Sequence, residues 1–326
     1  MDFQKSKISI IIPAYNAGNF ITNTIDSFYA SIRNDFEVII VDDKSTDNTI
    51  DVVNTYALQK NNIKLIALDK NNGPGLARNE GLKHATGEYT LFFDSDDLMR
   101  KGTVDHVTDF MDKNAIDVAV AKYNIKFGAE KNDIEMWDND RVIYEYIYEN
   151  FGNIFNPKLY PHFLTVINYP WTKICRTSYL RKHGVSFGSL RLHEDILPHW
   201  MMLMNTDKVY LSDEIICDYN LDPEGQNVTN NKGHMRMQCI DAAQSLHSLI
   251  LSRPNYRIFL PEFWYFSADV ISWAKDIIEI KYKNEITDLA NNLFSKISFE
   301  DLQHIYHVDK YAHTKICNFI IEKVGV

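Results

Sequence analysis

Hydrophobic residues in the first hundred positions alternate between two spacings in a regular order. Short, continuous apolar runs at residues 8–12, 36–41, 63–68 and 89–93 predict buried strands. Between these runs apolar residues recur at helical spacing, and residues 72–74 open the third helix with proline in its first turn. The order β-α-β-α-β-α-β predicts an α/β fold with a mostly parallel sheet and helices on both faces.

The pattern changes after the fourth predicted strand. Residues 117–121 predict a fifth strand, whereas residues 123–165 are rich in Tyr, Phe and Asn and show weak periodicity. We interpret this stretch as an insertion or as a lid. From about residue 235 onward helical spacing and helix-forming residues dominate. The chain is therefore expected to end in a helical region over residues 230–326.

Composition narrows the class of protein. The chain has 326 residues, of which 34 are basic and 44 acidic, a net charge of −10, and 45% are hydrophobic. These proportions are typical of a globular protein with a large core and argue against disorder. An acidic chain is not expected to bind nucleic acid, because that requires a clustered basic surface. A cluster of acids can nevertheless hold a divalent cation, which in turn binds phosphate.

The four cysteines lie too far apart in the sequence for a zinc motif or a disulfide framework. Reduced, mostly buried thiols are expected, which favours a cytoplasmic protein. The N-terminus lacks the apolar centre of a signal peptide, and no run reaches the roughly 18 apolar residues of a membrane span. Peripheral contact with the inner face of the plasma membrane, through the segment carrying Lys315 and Lys323, stays open as a hypothesis.

Open parallel sheets bind ligands beyond the carboxyl ends of their strands, so the residues at those positions are informative. Asp94, Asp96 and Asp97 follow the fourth strand, and three carboxylates so close together repel one another unless a divalent cation compensates them. The alternative is that they cap a helix. Asp42 and Asp43 follow the second strand and suit either a ribose or base contact, or a turn that caps the next helix.

No glycine-rich dinucleotide motif and no P-loop follows the first strand. A bound phosphate would therefore need another positive partner besides a metal ion. Arg78, in the helix that begins with the residues Pro-Gly-Leu-Ala-Arg, is the best fixed candidate. A surface salt bridge is the alternative role of this side chain.

Four blocks of sequence together resemble the ordered motifs of family 2 glycosyltransferases with the GT-A fold. The blocks are Ser9-Ile-Ile-Ile-Pro-Ala-Tyr-Asn16, Val41-Asp-Asp-Lys-Ser-Thr-Asp47, Asn72-Gly-Pro-Gly-Leu-Ala-Arg-Asn79 with Gly81, and Gly87-Glu-Tyr-Thr-Leu-Phe-Phe-Asp-Ser-Asp-Asp97. The resemblance implies a nucleotide-diphosphate sugar as donor, Mn²⁺ or Mg²⁺ as cofactor, and inversion of the anomeric centre.

The resemblance also implies roles for individual residues of these blocks. Asp94 and Asp96 form the D-x-D element, with Asp96 the more direct ligand of the cation. Either Asp42 or Asp43 contacts the nucleotide. The full set of implied nucleotide contacts is Pro13, Ala14, Tyr15, Asn16, Asp42, Asp43, Arg78, Asp94 and Ser95.

A second, shorter block resembles the W-x-K-x-x-R and E-D pattern of bacterial polysaccharide members of that family. It comprises residues 171–180, residues 183–184 and the run His193-Glu194-Asp195. An inverting transfer needs one base that takes the proton of the acceptor hydroxyl. The resemblance implies Asp195 as this base and Glu194 as second choice. The alternative is that both residues only begin the helix that follows them.

Four further residues are candidates for contact with the acceptor or the donor sugar. Trp171 suits stacking on a sugar face and Lys173 suits a phosphate contact, but each also suits the core or the rim of the sheet. His193 is a candidate for diphosphate or metal contact, with a structural role as the favoured alternative. Asp97 completes the set.

These features predict an inverting hexosyl- or N-acetylhexosaminyltransferase. It would use a nucleotide-diphosphate sugar, UDP-linked by preference, to glycosylate a hydroxyl of a glycan, lipid-linked or protein-linked acceptor in bacterial surface polysaccharide synthesis. We divide the chain into a nucleotide-sugar-binding half (1–110), an acceptor-side half (111–229) and the helical region (230–326).

Two alternative functions stay open, a nucleotidyltransferase and a noncatalytic nucleotide- or sugar-binding module. Formation of a homo-oligomer stays open too. The C-terminal helices are either a platform for the acceptor or a partner, or only a cap over the sheet.

Overall fold

The computed structural model describes residues 6–33, 35–127, 133–221, 230–308 and 310–322. Ten strands within these ranges form one mixed sheet. Their bounds are β1 Ile8–Ala14, β2 Phe36–Asp42, β3 Ile63–Ala67, β4 Tyr89–Phe92, β5 Leu98–Met99, β6 Val118–Lys126, β7 Ile134–Glu135, β8 Ile154–Phe155, β9 Lys173–Arg176 and β10 Val209–Asn220.

Helices pack on both faces of this sheet and continue beyond it. The described ranges contain twelve α-helices: α1 Ile21–Ser31, α2 Thr49–Gln59, α3 Pro74–His84, α4 Thr103–Asn114, α5 Asp138–Phe151, α6 Thr177–Lys182, α7 Ile196–Met204, α8 Gln238–Ser252, α9 Leu260–Ile277, α10 Lys283–Phe294, α11 Phe299–Val308 and α12 Lys310–Glu322.

The strand order is β3-β2-β1-β4-β9-β6-β10-β5, with β7 paired to β6 and β8 paired to β10. The strands β3, β2, β1 and β4 run parallel, as expected for βαβ units. The strand β9 runs antiparallel to both of its neighbours, whereas β10 runs parallel to β6. The loops after β1, β2 and β4 therefore meet at one edge of the sheet.

Close packing of α3 on β1 holds this edge in place. A Cβ atom at Gly81 would lie 2.3 Å from Cγ2 of Ile11, so only glycine fits at this contact. Every residue of β1 except Pro13 is fully buried, which explains the continuous apolar run. This contact holds the second half of α3 against the middle of β1.

The predicted α/β fold is confirmed, as is the helical C-terminal region; the sheet is mixed, and its longer strand pairs are the parallel ones. The four N-terminal strands lie where the apolar runs predict them. The fifth predicted strand is the first part of β6, which continues to Lys126. The antiparallel strand β9 was not predicted, because four residues with a lysine and an arginine carry too little periodicity to be recognised.

The C-terminal region from α8 onward has its own aromatic core and also packs against the sheet domain. The indole of Trp264 lies 4.8 Å from Phe263 and 6.1 Å from Phe294, measured between ring centroids. Trp200 of α7 contacts Phe266 of α9 at 5.6 Å. The contact between Trp200 and Phe266 joins α7 to the helical region.

The four cysteines carry free thiols, and three of them, Cys175, Cys217 and Cys239, are buried. This confirms the expectation of unpaired, mostly buried cysteines. No helix within the described ranges combines the length and apolar character that a bilayer crossing requires. Lys323, part of the hypothesis of membrane contact, lies outside the described residues.

Candidate active site

The loops after β1 and β2 are joined by hydrogen bonds between Asn16, Ser45 and Thr46. The backbone amide of Asn16 donates to Oγ of Ser45 at 2.9 Å, and Oδ1 of Asn16 accepts from the Thr46 amide at 2.8 Å. Asn16 adopts the left-handed conformation (φ 53°) that this arrangement requires, which asparagine tolerates. Tyr15 lies next to it and is 50% exposed.

Asp42 and Asp43 are both buried but differ in what their carboxylates do. Both oxygens of Asp43 accept backbone hydrogen bonds, from Asn72 and Gly73, each at 2.7 Å. Burial raises the pKa of Asp43 above its ordinary value, although these two bonds act in the opposite direction. Asp43 thus anchors the loop that leads into α3.

Asp42 keeps one oxygen available. Its Oδ2 accepts from the Ser45 amide at 3.0 Å, whereas its buried Oδ1 has no hydrogen-bond partner within the described residues. A buried carboxylate oxygen without a partner costs free energy unless a ligand donates to it. Of the two candidate acids after β2, Asp42 is therefore the better placed for a ligand contact.

Asp94 and Asp96 follow β4 and are both accessible to solvent. The Asp94 side chain is 32% exposed, and its Oδ1 accepts from Arg78 at 2.7 Å. Desolvation within the site and the neighbouring charge of Asp94 raise the pKa of Asp96 to about 6. Asp96 is exposed as a residue, but neighbouring protein atoms desolvate its carboxylate, which accepts no hydrogen bond from another described residue. The ionised form of Asp96 is thus poorly compensated by the residues that the structure describes.

Asp97 lies on the protein side of this loop. It is buried, and its Oδ1 accepts from the backbone amide of Asn220 at the end of β10, at 3.3 Å. Burial and the charges of Asp94 and Asp96 hold the pKa of Asp97 well above its ordinary value. Asp97 ties the loop to β10, and its buried Oδ2, like Oδ1 of Asp42, has no hydrogen-bond partner within the described residues.

Arg78 connects the acidic loop after β4 to the E-D pair. It is 4% exposed, and its two Nη atoms donate to Asp94 and Glu194, each at 2.7 Å. These two carboxylates overcome the effect of burial and raise the pKa of Arg78 above its ordinary value. The guanidinium also lies over the ring of Phe187, 5.2 Å from its centroid. The surface salt bridge considered for Arg78 is therefore a buried one between two motifs.

Glu194 and Asp195 immediately precede α7, as the helix-start alternative predicts. Asp195 occupies the N-cap position, but its side chain makes no capping hydrogen bond. Its carboxylate is half-buried and accepts no hydrogen bond from another described residue. Burial, and then the negative charge of Glu194, raise the pKa of Asp195 to about 7, against the opposing effect of Arg78.

His193 adopts a left-handed conformation (φ 66°) and contacts the helical region rather than the acidic loop. Its ring stands perpendicular to the indole of Trp273 of α9, with 6.2 Å between the centroids. Burial and the charge of Arg236 lower the pKa of His193 to about 3. A neutral imidazole in contact with an indole fits the structural role favoured for His193.

Trp171 and Lys173 lie in the core. Trp171 is fully buried among the rings of Tyr123, Tyr169 and Tyr219, so neither face of its indole is available for a sugar. The Lys173 ammonium is buried too, and it donates to the carbonyls of Ile167 and Tyr169 and to Oγ1 of Thr172. Burial lowers the pKa of Lys173 to about 7. The predicted sugar and phosphate contacts do not fit these positions.

Two side chains that no motif singled out hold the segment around the E-D pair. Arg191 donates from Nη2 to the carbonyl of Asn71 at 2.8 Å, which joins this segment to the loop before α3. Oε1 of Gln238, the first residue of α8, accepts from the amides of Arg191 and Leu192 at 2.9 and 3.0 Å. A glutamine at a helix start gives no recognisable signal in a single sequence.

The acidic side chains offer an incomplete ligand set for a metal ion. Within the described ranges, no group of three His, Cys, Asp or Glu side chains is arranged to hold one. Asp94 and Asp96 can supply two carboxylates, and the poorly compensated charge of Asp96 suits a cation. This donor set fits a hard divalent cation whose other ligands are phosphate oxygens and water.

An open α/β sheet with a polar site at the carboxyl ends of parallel strands defines a ligand-binding α/β protein. The sequence model described as glycosyl transferase family 2 matches residues 9–184, more than half of the chain, and the chain belongs to this family.

Two curated relatives match the N-terminal part of the chain. Poly(ribitol-phosphate) beta-N-acetylglucosaminyltransferase TarS of Staphylococcus aureus is 41% identical over 119 residues, 36% of this chain and 21% of TarS. Poly(ribitol-phosphate) beta-glucosyltransferase of Bacillus spizizenii is 40% identical over 119 residues, 36% of this chain and 19% of the relative. The matches thus span about a fifth of the length of these relatives.

Solved structures resemble the whole described fold. Residues 1–349 of S. aureus TarS in complex with UDP-GlcNAc give a TM-score of 0.71 at 24% identity, over 96% of this chain and 89% of that one. The mannosyltransferase PcManGT of Pyrobaculum calidifontis, in complex with GDP-Man and Mn²⁺, gives 0.56 at 15% identity, over 99% and 88%. These likenesses confirm the GT-A fold predicted from the sequence.

Proposed function

We propose that this chain is an inverting glycosyltransferase that moves a hexose or N-acetylhexosamine from a UDP-sugar to a hydroxyl of a bacterial surface polymer. Membership of glycosyl transferase family 2 supports the reaction class. The uridine donor is supported by the likeness to TarS in complex with UDP-GlcNAc, and the polymeric acceptor by the poly(ribitol-phosphate) named for two relatives.

The Arg78 bridge is the observation that carries the proposal. It joins Asp94, in the loop that would bind the donor diphosphate, to Glu194, which is adjacent to the would-be base Asp195. Donor and base groups contributed by distant segments are thereby held in one rigid unit, and transfer chemistry needs such fixed orientation. A module that only binds a nucleotide has no need to hold Asp195 there.

Asp195 is the proposed general base. As the acceptor oxygen attacks the anomeric carbon, the bond from that carbon to the donor phosphate oxygen breaks, and the acceptor proton passes to the Asp195 carboxylate. A pKa of about 7 suits a base that works near neutral pH. The absence of a hydrogen bond to Asp195 from other described residues leaves the carboxylate oxygens free to accept that proton.

Asp42, with its buried unpartnered Oδ1, is the proposed nucleotide-contacting acid of the second block. Asp96 and Asp94 would hold Mn²⁺ or Mg²⁺. When bound, the cation supplies Lewis-acid stabilisation of the negative charge on the departing diphosphate. The remaining nucleotide contacts inferred from the resemblance, Pro13, Ala14, Tyr15, Asn16 and Ser95, stay part of this proposal.

A screen of UDP-, GDP- and dTDP-sugars for hydrolysis, with Mn²⁺, with Mg²⁺ and with EDTA, tests the proposal. We expect hydrolysis of a UDP-sugar with divalent cation only. A preference for GDP- or dTDP-sugars would overturn the uridine assignment. Isothermal titration with UDP runs in parallel, and binding of UDP without turnover of any donor would favour the noncatalytic binding module. Release of pyrophosphate from a nucleoside triphosphate and a sugar phosphate would favour a nucleotidyltransferase.

A further inference from the structure

Trp273 of α9 is the exposed tryptophan of this chain. Its side chain is 46% exposed, whereas Trp171, Trp200 and Trp264 are fully buried and Trp137 is partly buried. A large apolar ring left in water costs free energy in the isolated protein, and a ligand that covers the ring would recover it. The position of Trp273 is beside the E-D segment, through its contact with His193.

The indole of Trp273 is held in one orientation. The guanidinium of the fully buried Arg236 lies over the ring, 4.6 Å from its centroid, and His193 stands perpendicular to it. Arg236 is itself fixed, because its Nε donates to the carbonyl of Asn231 at 2.9 Å. One face of the ring is therefore covered by the protein, and a rigid aromatic surface is left for a ligand.

The same turn supports both Trp273 and the E-D segment. Arg236 lies in the short helix His234–Met237, and Gln238 follows it directly. Gln238 accepts from the amides of Arg191 and Leu192, which precede His193. The distance between the indole and the proposed base is thus determined by a hydrogen-bonded unit rather than by a loose surface loop.

The two neighbours His193 and Glu194 contact different parts of the molecule. Glu194 pairs with Arg78 and hence with the donor side of the site, whereas His193 contacts Trp273 of the helical region. Asp195, the proposed base, must meet the acceptor. A ligand on the exposed part of Trp273 would therefore lie beside the segment that carries Asp195.

A pyranose ring has one flat face of C–H groups, and burial of that face against an indole removes apolar area of both partners from water. A side chain with two rotatable angles loses little conformational entropy in such a contact. We propose that Trp273 is a binding platform for a pyranose ring of the acceptor, which takes the acceptor to be a polymer that carries sugar rings rather than a bare ribitol-phosphate chain. This inference rests on the proposed function, because it takes Asp195 as the point where the acceptor reacts.

The first test uses tryptophan fluorescence on the intact chain with UDP and Mn²⁺ present. Methyl β-D-glucopyranoside and methyl N-acetyl-β-D-glucosaminide are the probes, and acrylamide is the quencher. We expect at least one pyranoside to protect the wild-type protein from quenching and to leave Trp273→Phe unaffected, since the reporter is then absent. Unchanged quenching of the wild-type protein with both probes would overturn the inference.

The second test measures the affinity for the same pyranosides by saturation-transfer NMR. Relative to wild type, we expect Trp273→Ala to weaken binding by about tenfold and Trp273→Phe by about threefold. Phe299→Ala is the matched control, because it removes another exposed aromatic ring of the helical region, 73% exposed on α11. Equal affinity of wild type and Trp273→Ala would overturn the platform. UDP affinity within about twofold of wild type and an unchanged circular dichroism spectrum verify that Trp273→Ala is folded.

The two proposals fail in different ways. If UDP binds but neither pyranoside does, the platform is wrong and the glycosyltransferase proposal stands. If UDP does not bind and no sugar nucleotide is hydrolysed, the proposed function is wrong. Protection of Trp273 by a pyranoside, measured without UDP, would then still support a sugar-binding surface.

Discussion

Nη1 of Arg78 lies 2.7 Å from Oε1 of Glu194, although 116 residues separate them in the chain. Both side chains are almost fully buried, at 5% and 10% exposure. The other end of the guanidinium holds Asp94, so one cation neutralises two acids from different motifs. The orientation of the E-D segment thus depends on Arg78.

Replacement of Arg78 tests this dependence. Arg78→Met should lower the free energy of unfolding by about 3 kcal/mol, because it leaves Glu194 and Asp94 without their buried partner. Arg78→Lys should be intermediate, since an ammonium cannot span both carboxylates. Urea denaturation of the three proteins measures the effect. Equal midpoints for Arg78→Met and wild type would contradict the interpretation of the bridge.

Asp195→Asn should abolish most of the transfer activity while UDP binding is retained. Loss of a general base typically reduces the rate by about 10² or more. The measurement is the transfer rate, with UDP affinity by calorimetry alongside it. Asp109→Asn, on an exposed position of α4, is the matched control and should behave as wild type. Transfer within about tenfold of wild type in Asp195→Asn would rule out Asp195 as the base.

The transfer rate should rise with pH through about 7 and then level off. Burial and the charge of Glu194 raise the pKa of Asp195 to about 7, and only the ionised carboxylate accepts a proton. Glu194→Gln removes the neighbouring negative charge, lowers the pKa of Asp195 and should therefore shift the rising part of the pH profile to lower pH. Burial lowers the pKa of Lys173 to about 7 as well, so a rise of the rate through pH 7 does not by itself identify Asp195. The shift of that rise in Glu194→Gln does. A pH profile that is unchanged in Glu194→Gln would point to Lys173.

Gly75→Ala should disturb the contact between α3 and the E-D segment. A Cβ at this position would lie 2.4 Å from the carbonyl oxygen of Gly188 and 3.0 Å from Cγ of Glu194. Such overpacking typically costs about 1–3 kcal/mol. Gly188→Ala is the control on the other side of the contact, because a Cβ at Gly188 would lie 3.9 Å from its nearest neighbour, the backbone nitrogen of Leu190. Thermal unfolding should separate the two variants, and equal midpoints would argue against a tight contact here.

Asp96→Asn tests the proposed cation site without a need for turnover. For wild type we expect UDP to bind more tightly with Mn²⁺ than with EDTA, because Asp94 and Asp96 would hold a cation that attracts the diphosphate. For Asp96→Asn the ratio of the UDP affinity with Mn²⁺ to that with EDTA should fall by about tenfold or more. Calorimetry of both proteins, with and without EDTA, provides the comparison. An undiminished Mn²⁺ effect would remove Asp96 from the ligand set.

The N-terminal half of the fold is readable from the sequence because its information is local. The continuous apolar run that became β1 reflects burial on both faces, and the acids after β4 stand out because they cluster. The pairing of Arg78 with Glu194 could not be read in this way. It arises only when the crossover topology brings together segments that are far apart in the chain.

For Trp171 and Lys173 the sequence predicted ligand contacts that their buried positions do not fit. A tryptophan and a lysine in one motif are compatible with sugar and phosphate contacts, but burial decides their roles. The indole of Trp171 completes an aromatic cluster, and the three donors of the Lys173 ammonium are all used within the protein. Trp273 was overlooked because it belongs to no motif, and its exposure is a property of the folded chain.

The hydrogen bonds of Gln238 restrict which helical regions can be exchanged between related proteins. Its side chain accepts the amides of Arg191 and Leu192, so the helical region contributes directly to the backbone conformation next to the proposed base. A chimaera that grafts a foreign helical region onto residues 6–221 would lose this acceptor unless the graft supplied one at the same place. The helical region and the E-D segment are therefore expected to be inherited together, as one evolutionary unit.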